Sequence, residues 1–187
     1  MANQIDVVVL VGSLRKESFT RKTAKALVAL APARLKLRFV EIGDLPHYNQ
    51  DLDPEHPPAP WVRFRDEMRP CAAVLFATPE YNRSVPGVLK NAIDVGSRPY
   101  GKSVFDKKPA AVISVSPGAI GGFGANHHLR QSLVFLNMAA MPQPEAYIAR
   151  AGDLFDEQGG VKDEKVRTFL AQFVSAFGEW IERTAGK

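Results

Sequence analysis

An apolar run near the start of the chain ends abruptly in a turn rich in glycine and hydroxyl groups. Residues 7–11 read VVVLV, which is typical of a strand buried in a parallel sheet, and GSLRKESFT follows at residues 12–20. A helical pattern begins at Phe19, so the turn exposes a helix N-terminus, where unpaired N–H groups and the positive end of the helix dipole attract an anion. The pattern therefore predicts a phosphate site between the first strand and the first helix.

Four polar side chains of this turn are candidate phosphate ligands. Ser13, Ser18 and Thr20 offer hydroxyl groups, and Arg15 offers a charged fork of N–H donors. The turn has neither the Lys-Ser/Thr ending of a nucleoside triphosphate loop nor the G-x-G-x-x-G spacing of a pyrophosphate loop, so a single terminal phosphate fits better. The alternative is that Ser18 only caps the helix, while Ser13 and Arg15 lie on an ordinary solvated turn.

Composition narrows the class of protein. With 187 residues, 45% of them hydrophobic and 24% charged, the chain is expected to form one α/β domain over residues 1–187. It shows no signal-peptide pattern and no apolar run near the roughly 20 residues of a membrane span, which predicts a cytoplasmic protein without membrane insertion. The net charge of +4 comes from dispersed Lys and Arg residues, which favours attraction of small anions over nucleic-acid binding.

Cysteine and histidine usage excludes two further kinds of site. Cys71 is the single cysteine and precedes an apolar run, so we expect a buried thiol and no disulfide within the chain. The four histidines lack the spacing of a metal site and are interpreted as surface or capping residues.

Apolar periodicity predicts strands that alternate with helices. Prolines at 54, 57, 58 and 60 interrupt this alternation with an irregular segment after the second strand. Right-handed crossovers then give a doubly wound five-stranded parallel sheet of order 2-1-3-4-5, with a ligand site beyond the carboxyl ends of the strands, at the switch point between strands one and three. Strands are predicted at residues 5–11, 35–42, 72–77, 109–115 and 146–149, and helices at residues 19–31, 61–69, 86–96, 126–138 and 163–183.

Two more loops follow strands that end at the same edge of the predicted sheet. The loop at residues 78–87 reads TPEYNRSVPG, in which Tyr81 supplies an aromatic face and Asn82 an amide for a flat, polar-edged ring. The loop at residues 114–122 reads SVSPGAIGG, whose glycines let backbone N–H groups approach a ligand closely. Either loop alone is typical of any turn, but three such loops at adjacent strand ends indicate one binding site.

With these motifs in view, the chain resembles the NADPH-dependent FMN reductase family, flavodoxin-like flavoproteins that include bacterial quinone and chromate reductases. The resemblance runs from the first strand to the final helix. It is carried by GSLRxxS at residues 12–18, TPEYNxSVPGxLKNAID at 78–94, GAIGG at 118–122 and HLRQ at 128–131.

The resemblance implies bound FMN. In the family the first loop binds the FMN phosphate, the Pro-Glu-Tyr-Asn loop lies against the isoalloxazine ring, and the third loop contacts the pyrimidine side of that ring. The cofactor-binding residues that it implies here are Ser13, Arg15, Ser18, Phe19, Thr20, Pro79, Glu80, Tyr81, Asn82, Val115, Ser116 and Gly118.

The chain departs from the family pattern at three points. Thr20 stands where many relatives have Asn, which keeps a polar group for the phosphate. Arg83 stands where many relatives carry an aromatic or neutral residue, and we interpret it as a substrate-facing residue. Asp94 is followed by Val95 rather than the Trp that relatives often have, which changes packing beside the flavin or across a subunit contact.

The chain shows no metal set, catalytic triad or paired acidic site, so the chemistry is assigned to the cofactor. Bound flavin would take hydride from NADPH or NADH and pass electrons to quinones, or to chromate, azo or nitro compounds. Glu80 could serve as an acid or base, but a structural role for its carboxylate is favoured.

The resemblance also implies a homodimer or homotetramer, with the apolar helix faces after Pro86 and along residues 129–136 as candidate contacts.

Two other functions remain open. A flavodoxin-type electron carrier would share the fold, but a carrier for basic partners needs an acidic face, which a chain of charge +4 does not indicate. A sugar-phosphate sensor would use the first loop and leave Tyr81 and Asn82 unexplained.

Overall fold

A parallel sheet runs through the middle of the molecule in a computed structural model that describes residues 4–156 and 158–184. Its strands pair in the order β2-β1-β3-β4-β5, and β6 continues the edge beside β4. All pairings are parallel, so the predicted order is confirmed. The strands are β1 (Ile5–Val11), β2 (Leu35–Phe39), β3 (Ala73–Thr78), β4 (Pro109–Val115), β5 (Ala139–Ala140) and β6 (Ala146–Ile148).

Helices cover both faces of the sheet. Alternate residues of β1 point to opposite sides: Val8 and Leu10 pack with α2, α3 and α4, whereas Val7 and Val9 pack with α1 and α5. This two-sided burial explains why the strands are continuous apolar runs. The helices are α1 (Phe19–Leu30), α2 (Ala59–Met68), α3 (Gly87–Gly96), α4 (Phe123–Phe135) and α5 (Glu164–Thr184).

The edge of the sheet beyond β4 differs from the prediction of one strand at 146–149. Two short strands occupy that edge: β5 pairs with Pro109 and Ala110, and β6 pairs with residues 113–115. Pro142 and Pro144 lie in the interruption between them, where proline cannot donate to a strand ladder.

Side chains of α4 bridge this interruption. Arg130 Nη1 donates to the Met141 carbonyl at 2.9 Å, and Asn126 Nδ2 donates to the Ala146 carbonyl at 3.3 Å. Arg130 Nε also donates to Asn126 Oδ1 at 2.9 Å, so the two side chains support each other. Hydrogen bonds from the helix therefore replace part of the missing ladder at the strand break.

Two other element boundaries differ from the predicted ones because of contacts with distant parts of the chain. Strand β2 ends at Phe39 rather than 42, because the chain leaves the ladder while Ile42 stays buried in the core. Helix α4 begins at Phe123 rather than 126, because its N-terminus is capped by a residue from another loop. The remaining helix and strand ends lie within a few residues of their predicted positions.

The apolar stripe of α4 lies inside the molecule. Leu129 and Leu133 are fully buried and Leu136 is nearly so, within the core on the α2–α3–α4 side of the sheet. The three leucines are therefore unavailable to a second subunit, because they fill the protomer's own core. Val134 and Phe135, within the same range, are exposed, so a subunit contact along residues 129–136 stays a prediction for that outer face only. Leu89 and Ala92, which follow Pro86, are fully buried as well.

A buried ion pair holds the proline-rich segment against α2. Arg65 donates to both carboxylate oxygens of Asp53 at 2.7 and 2.9 Å, and Tyr48 donates its hydroxyl to the same carboxylate at 3.1 Å. Burial alone would raise the pKa of Asp53, but hydrogen bonds and the charge of Arg65 outweigh it and hold that pKa below its ordinary value. The segment is irregular, as predicted, and these contacts fix it against α2.

Cys71 is buried, as predicted, and burial raises the pKa of its thiol. None of the helices within the described residues is both long enough and apolar enough to span a bilayer.

Candidate active site

The first loop leaves β1 through a closely packed glycine. A Cβ on Gly12 would lie 3.1 Å from Leu89 Cδ2 and 3.3 Å from Pro79 Cδ, so a larger residue would push α3 and the second loop outward. The Gly12 N–H donates to the Ala77 carbonyl at 2.8 Å, which extends the contact between β1 and β3 into the loop. The first and second loops are therefore in direct contact.

Two of the candidate hydroxyl groups, those of Ser18 and Thr20, lie in the first turn of α1. Ser18 is the N-cap: its Oγ accepts from the Arg21 N–H at 3.1 Å, which leaves its hydroxyl hydrogen free to donate. Ser13, Ser18 and Thr20 are all nearly buried. The first turn of α1 carries no acidic residue that would oppose an anion.

Arg15 lies outside this buried group and is exposed. Its guanidinium carbon lies 5.9 Å from the centroid of the Phe19 ring, a cation–π distance. Phe19 in turn stacks on Phe155 with centroids 6.5 Å apart. The side chain is held near the loop while its charge stays accessible, which suits recognition of a phosphate dianion.

The second loop contains a two-residue hairpin. Tyr81 and Ser84 exchange backbone hydrogen bonds of 3.2 and 2.9 Å, and the two residues between them, Asn82 and Arg83, have φ values of 50° and 62°. Such turns favour Asn at the first left-handed position and Gly at the second. Arg83 therefore sits in a conformation that costs a residue with a Cβ about 1 kcal/mol or more.

The Glu80 carboxylate points to α4 rather than into the cleft between the loops. Its Oε2 accepts from the Ala125 N–H at 3.0 Å, and its Oε1 lies 3.2 Å from Nη1 of Arg83. A carboxylate at a helix N-terminus is stabilised by the helix dipole. These contacts fit the structural role favoured for Glu80 from the sequence.

The third loop is anchored on β6. Ser116 donates its N–H to the Ile148 carbonyl at 2.9 Å, and its Oγ accepts from the Gly118 N–H at 3.0 Å. Val115 is buried, so its side chain belongs to the core and only its backbone is available to a ligand.

Gly122, at the end of the third loop, and Gly124, in the first turn of α4, lie against the second loop. Gly122 has a φ of 77°, and a Cβ there would lie 3.6 Å from Cβ of Glu80. At Gly124 a Cβ would lie 2.7 Å from the Arg83 carbonyl oxygen, so the helix and the hairpin meet there without room for a side chain. Small residues at these positions allow the second and third loops to pack together.

The first and second loops border a cleft of about 440 Å³. Tyr81 and Leu14 both line it, and each is a partly exposed side chain with a large apolar surface. The cleft is lined by Gly12, Ser13, Leu14, Arg15, Tyr81, Pro86, Gly87 and Val88. It offers an apolar surface beside the hydroxyl and guanidinium donors of the first loop, a combination that suits a flat ring carrying a phosphate.

Some site residues were not predicted from the sequence. Phe155, which packs on Phe19, lies far along the chain in a segment without a motif, so no local signal could have found it. His128 belongs to the HLRQ motif, which by itself indicates no contact for it; in the structure its Nδ1 lies 3.0 Å from Oγ of Ser84 and connects the hairpin to α4. Across the described part of the chain, no cluster of three His, Cys, Asp or Glu side chains suits a metal ion.

Known proteins resemble this chain in sequence and in fold. The chain is 62% identical over 182 residues to a quinone reductase of Pseudomonas putida, covering 97% of both chains. It is 42% identical over 177 residues to a 2-hydroxy-1,4-benzoquinone reductase of a Burkholderia species, covering 95% of this chain and 96% of the other. Among solved structures, the flavoenzyme NAD(P)H:(acceptor) oxidoreductase FerB of Paracoccus denitrificans superposes with a TM-score of 0.90 at 47% identity, over 96% of this chain and 98% of FerB. The model of one family matches residues 5–153, and the chain thus belongs to the NADPH-dependent FMN reductase family.

Proposed function

We propose that this chain is an FMN-dependent NAD(P)H oxidoreductase that reduces quinones. The observation that carries the proposal is the packing of three loops into one site: the capped N-terminus of α1, the hairpin at residues 81–84, and the glycine-rich loop before α4. The similarity to quinone reductases over nearly the whole chain supports the choice of acceptor.

The residues of the three loops would hold FMN in distinct ways. Ser13, Ser18, Thr20 and Arg15 would bind the phosphate through hydroxyl and guanidinium donors at the N-terminus of α1. Bound FMN would supply the redox chemistry: NAD(P)H would provide two electrons and one proton as hydride, solvent would provide the second proton, and the quinone would leave as a quinol.

The other two loops would orient the ring system. Pro79, Tyr81 and Asn82 would shape the side on which the isoalloxazine lies, while Phe19 would pack near the phosphate end. Glu80 would act indirectly, by holding the hairpin against α4. Val115, Ser116 and Gly118 would present backbone groups to the pyrimidine side, since the Val115 side chain is buried.

The test is reconstitution followed by turnover. Purified protein incubated with excess FMN and desalted should retain one flavin per chain and then oxidise NADPH in the presence of a quinone. Protein that retains FMN without oxidising NADPH or NADH would be a flavodoxin-type carrier. Protein that retains no flavin would overturn the proposal at its base. A panel with chromate, azo and nitro compounds would define the acceptor range.

Arg83 is proposed as a substrate-facing residue at the mouth of the site. Its side chain is 73% exposed, and its Glu80 partner is also engaged with the Ala125 N–H. An exposed guanidinium of this kind attracts anionic acceptors or the 2′-phosphate of NADPH through a Coulomb force that salt weakens.

We further propose a homodimer, able to pair into a homotetramer, in the cytoplasm, where NAD(P)H is supplied. The outer face of α4 is the candidate contact, because Val134 and Phe135 are 80% and 72% exposed. Large exposed apolar side chains next to each other are typical of a subunit interface. Light scattering of wild type and Phe135→Glu tests this: a dimer that dissociates in the variant supports the contact, and a wild-type monomer overturns it.

A further inference from the structure

Three aromatic rings cluster at the N-terminal end of α4, outside the cleft between the first and second loops. The Phe123 ring lies 4.2 Å from His127 and 5.4 Å from Tyr147, measured between centroids. His127 and Tyr147 lie nearly parallel, with 20° between their planes. Phe123 is 51% exposed and His127 is exposed, so these two rings form an open surface that we name the aromatic platform.

Tyr147 holds the His127 ring in place. Its hydroxyl lies 2.9 Å from His127 Nε2, a hydrogen-bond distance. Burial, reinforced by the neighbouring Glu145 carboxylate, raises the pKa of Tyr147 to about 12, so the hydroxyl stays protonated at any working pH. A Cβ on Gly121 would lie 2.7 Å from the Tyr147 carbonyl carbon, so the third loop rests directly on Tyr147.

The platform adjoins the proposed reaction site. Phe123 lies between Gly122 and Gly124, the two glycines that touch the hairpin at Glu80 and Arg83. The platform therefore begins one residue from the contact between the second and third loops, at the carboxyl ends of the strands. This is the edge at which ligands bind in doubly wound sheets.

We propose that Phe123 and His127 form the binding surface for a planar, neutral aromatic acceptor, and that Tyr147 is a positioning residue that keeps the His127 ring aligned. This inference rests on the quinone reduction proposed above. A quinone is flat and carries most of its surface on its two faces. The two rings are tilted by 39° to each other, so the quinone would stack on the open face of one ring and contact the edge of the other, which would discriminate against non-planar acceptors.

The decisive comparison pairs Phe123→Ala with Tyr100→Ala in FMN-loaded enzyme. Tyr100 is 84% exposed but lies in the segment before β4, at the opposite end of that strand from the third loop. For 2-methyl-1,4-naphthoquinone, Phe123→Ala should raise KM about 3- to 10-fold, the range expected for one aromatic pair. KM for ferricyanide, a compact octahedral ion that needs no stacking, should stay unchanged, and Tyr100→Ala should alter neither.

The role of Tyr147 is tested by substitutions at His127 and Tyr147. His127→Ala should raise the quinone KM as Phe123→Ala does, whereas His127→Phe should restore most of the binding because it keeps a ring. Tyr147→Phe should raise quinone KM by a smaller factor with kcat for ferricyanide unchanged. If His127→Phe binds quinone as poorly as His127→Ala, stacking is not the interaction that His127 provides.

A binding measurement separates this proposal from the catalytic one. Saturation-transfer NMR with 1,4-dimethoxynaphthalene, a flat ring that cannot be reduced, should show contact with wild type and weaker contact with Phe123→Ala. An enzyme that turns over no acceptor but still binds this probe at Phe123 would refute the proposed function and keep the platform. The platform proposal would be overturned if Phe123→Ala left the quinone KM unchanged. It would also be overturned if KM rose equally for quinone and ferricyanide, or if the variant changed its oligomeric mass without a change in KM.

Discussion

Glu80, from the loop after β3, accepts a hydrogen bond from the N–H of Ala125, in the first turn of α4, at 3.0 Å. This contact joins a loop to a helix through residues that are 45 positions apart in sequence. The same carboxylate pairs with Arg83, whose carbonyl oxygen leaves no room for a side chain at Gly124. The shape of the hairpin and the start of α4 therefore depend on each other.

Replacing Glu80 should loosen both elements. We expect Glu80→Ala to lower the free energy of unfolding by about 1 to 2 kcal/mol, because a helix cap and a charge-assisted hydrogen bond are lost. Glu80→Gln keeps an oxygen acceptor and should cost less. Glu41→Ala is the matched control: Glu41 pairs with Arg21 on the surface, so its loss should cost under about 1 kcal/mol. Urea unfolding of the flavin-free proteins measures all three, and equal losses for Glu80→Ala and Glu41→Ala would contradict the capping role.

The phosphate role of Arg15 predicts a ligand-dependent effect. Arg15→Ala should weaken the binding of FMN by about 1.5 to 3 kcal/mol, which is one to two decades in Kd, because one charge-assisted hydrogen bond is lost. Riboflavin, which lacks the phosphate, should bind nearly as before. Lys16→Ala, at the adjacent exposed position, should leave both affinities unchanged. Fluorescence titration measures each Kd, and equal losses for FMN and riboflavin would place Arg15 away from the phosphate.

Ser18→Ala should show two effects at once. The substitution removes the N-cap of α1 and should destabilise the flavin-free protein by about 1 kcal/mol. It should also weaken the binding of FMN more than the binding of riboflavin, since the hydroxyl hydrogen of Ser18 is free to donate to the phosphate. A variant that loses stability but binds both flavins as wild type does would show that Ser18 is only a cap.

Charge at Arg83 should affect charged substrates selectively. Arg83→Ala should raise KM for NADPH or for a sulfonated quinone while leaving KM for a neutral quinone nearly unchanged, and the difference should shrink as salt is added. Arg83→Lys keeps the charge and should behave close to wild type. Initial-rate kinetics at two ionic strengths provide the measurement. A similar rise in KM for neutral and anionic quinones would show that Arg83 does not lie at the pocket mouth.

The buried Asp53–Arg65 pair predicts how stability depends on pH. The folded-state pKa of Asp53 is lowered, so its contribution is present above the unfolded value near 3.8 and is lost as the pH falls through the folded pKa. Asp53→Asn should destabilise the protein by about 3 to 5 kcal/mol at neutral pH, because Arg65 is left buried without its partner.

Acid unfolding distinguishes this pair from a surface one. Below about pH 4 the stability of wild type should fall more steeply than that of Asp53→Asn, which has no carboxylate there to protonate. Asp44→Asn, which removes an exposed partner of Arg63, should change neither the midpoint nor the slope appreciably. Parallel acid profiles for wild type and Asp53→Asn would contradict the assigned role.

Much of the architecture follows from local sequence. The bounds of β1 and β4 agree with those predicted, because a fully buried strand is a continuous apolar run bounded by residues that break it. The strand order could also be predicted from the sequence, since few sheet topologies are compatible with alternating strands and helices joined by right-handed crossovers. The three loops could be placed at one edge for the same reason.

Other features were decided only by contacts between distant residues. The start of α4 depends on Glu80, and the broken sheet edge is bridged by Asn126 and Arg130. The stripe through Leu129 shows the limit of periodicity, which reveals that a helix face is apolar but not whether its own core or a second subunit covers it.

The sequence by itself therefore determined the order of the strands and the three loops that meet at their carboxyl ends, because apolar runs and turn residues act locally. Only the tertiary structure decided which way the Glu80 carboxylate points and that Tyr147 joins Phe123 and His127 in one surface. These relationships depend on side chains brought together from separate elements, and no local pattern encodes the distance between them.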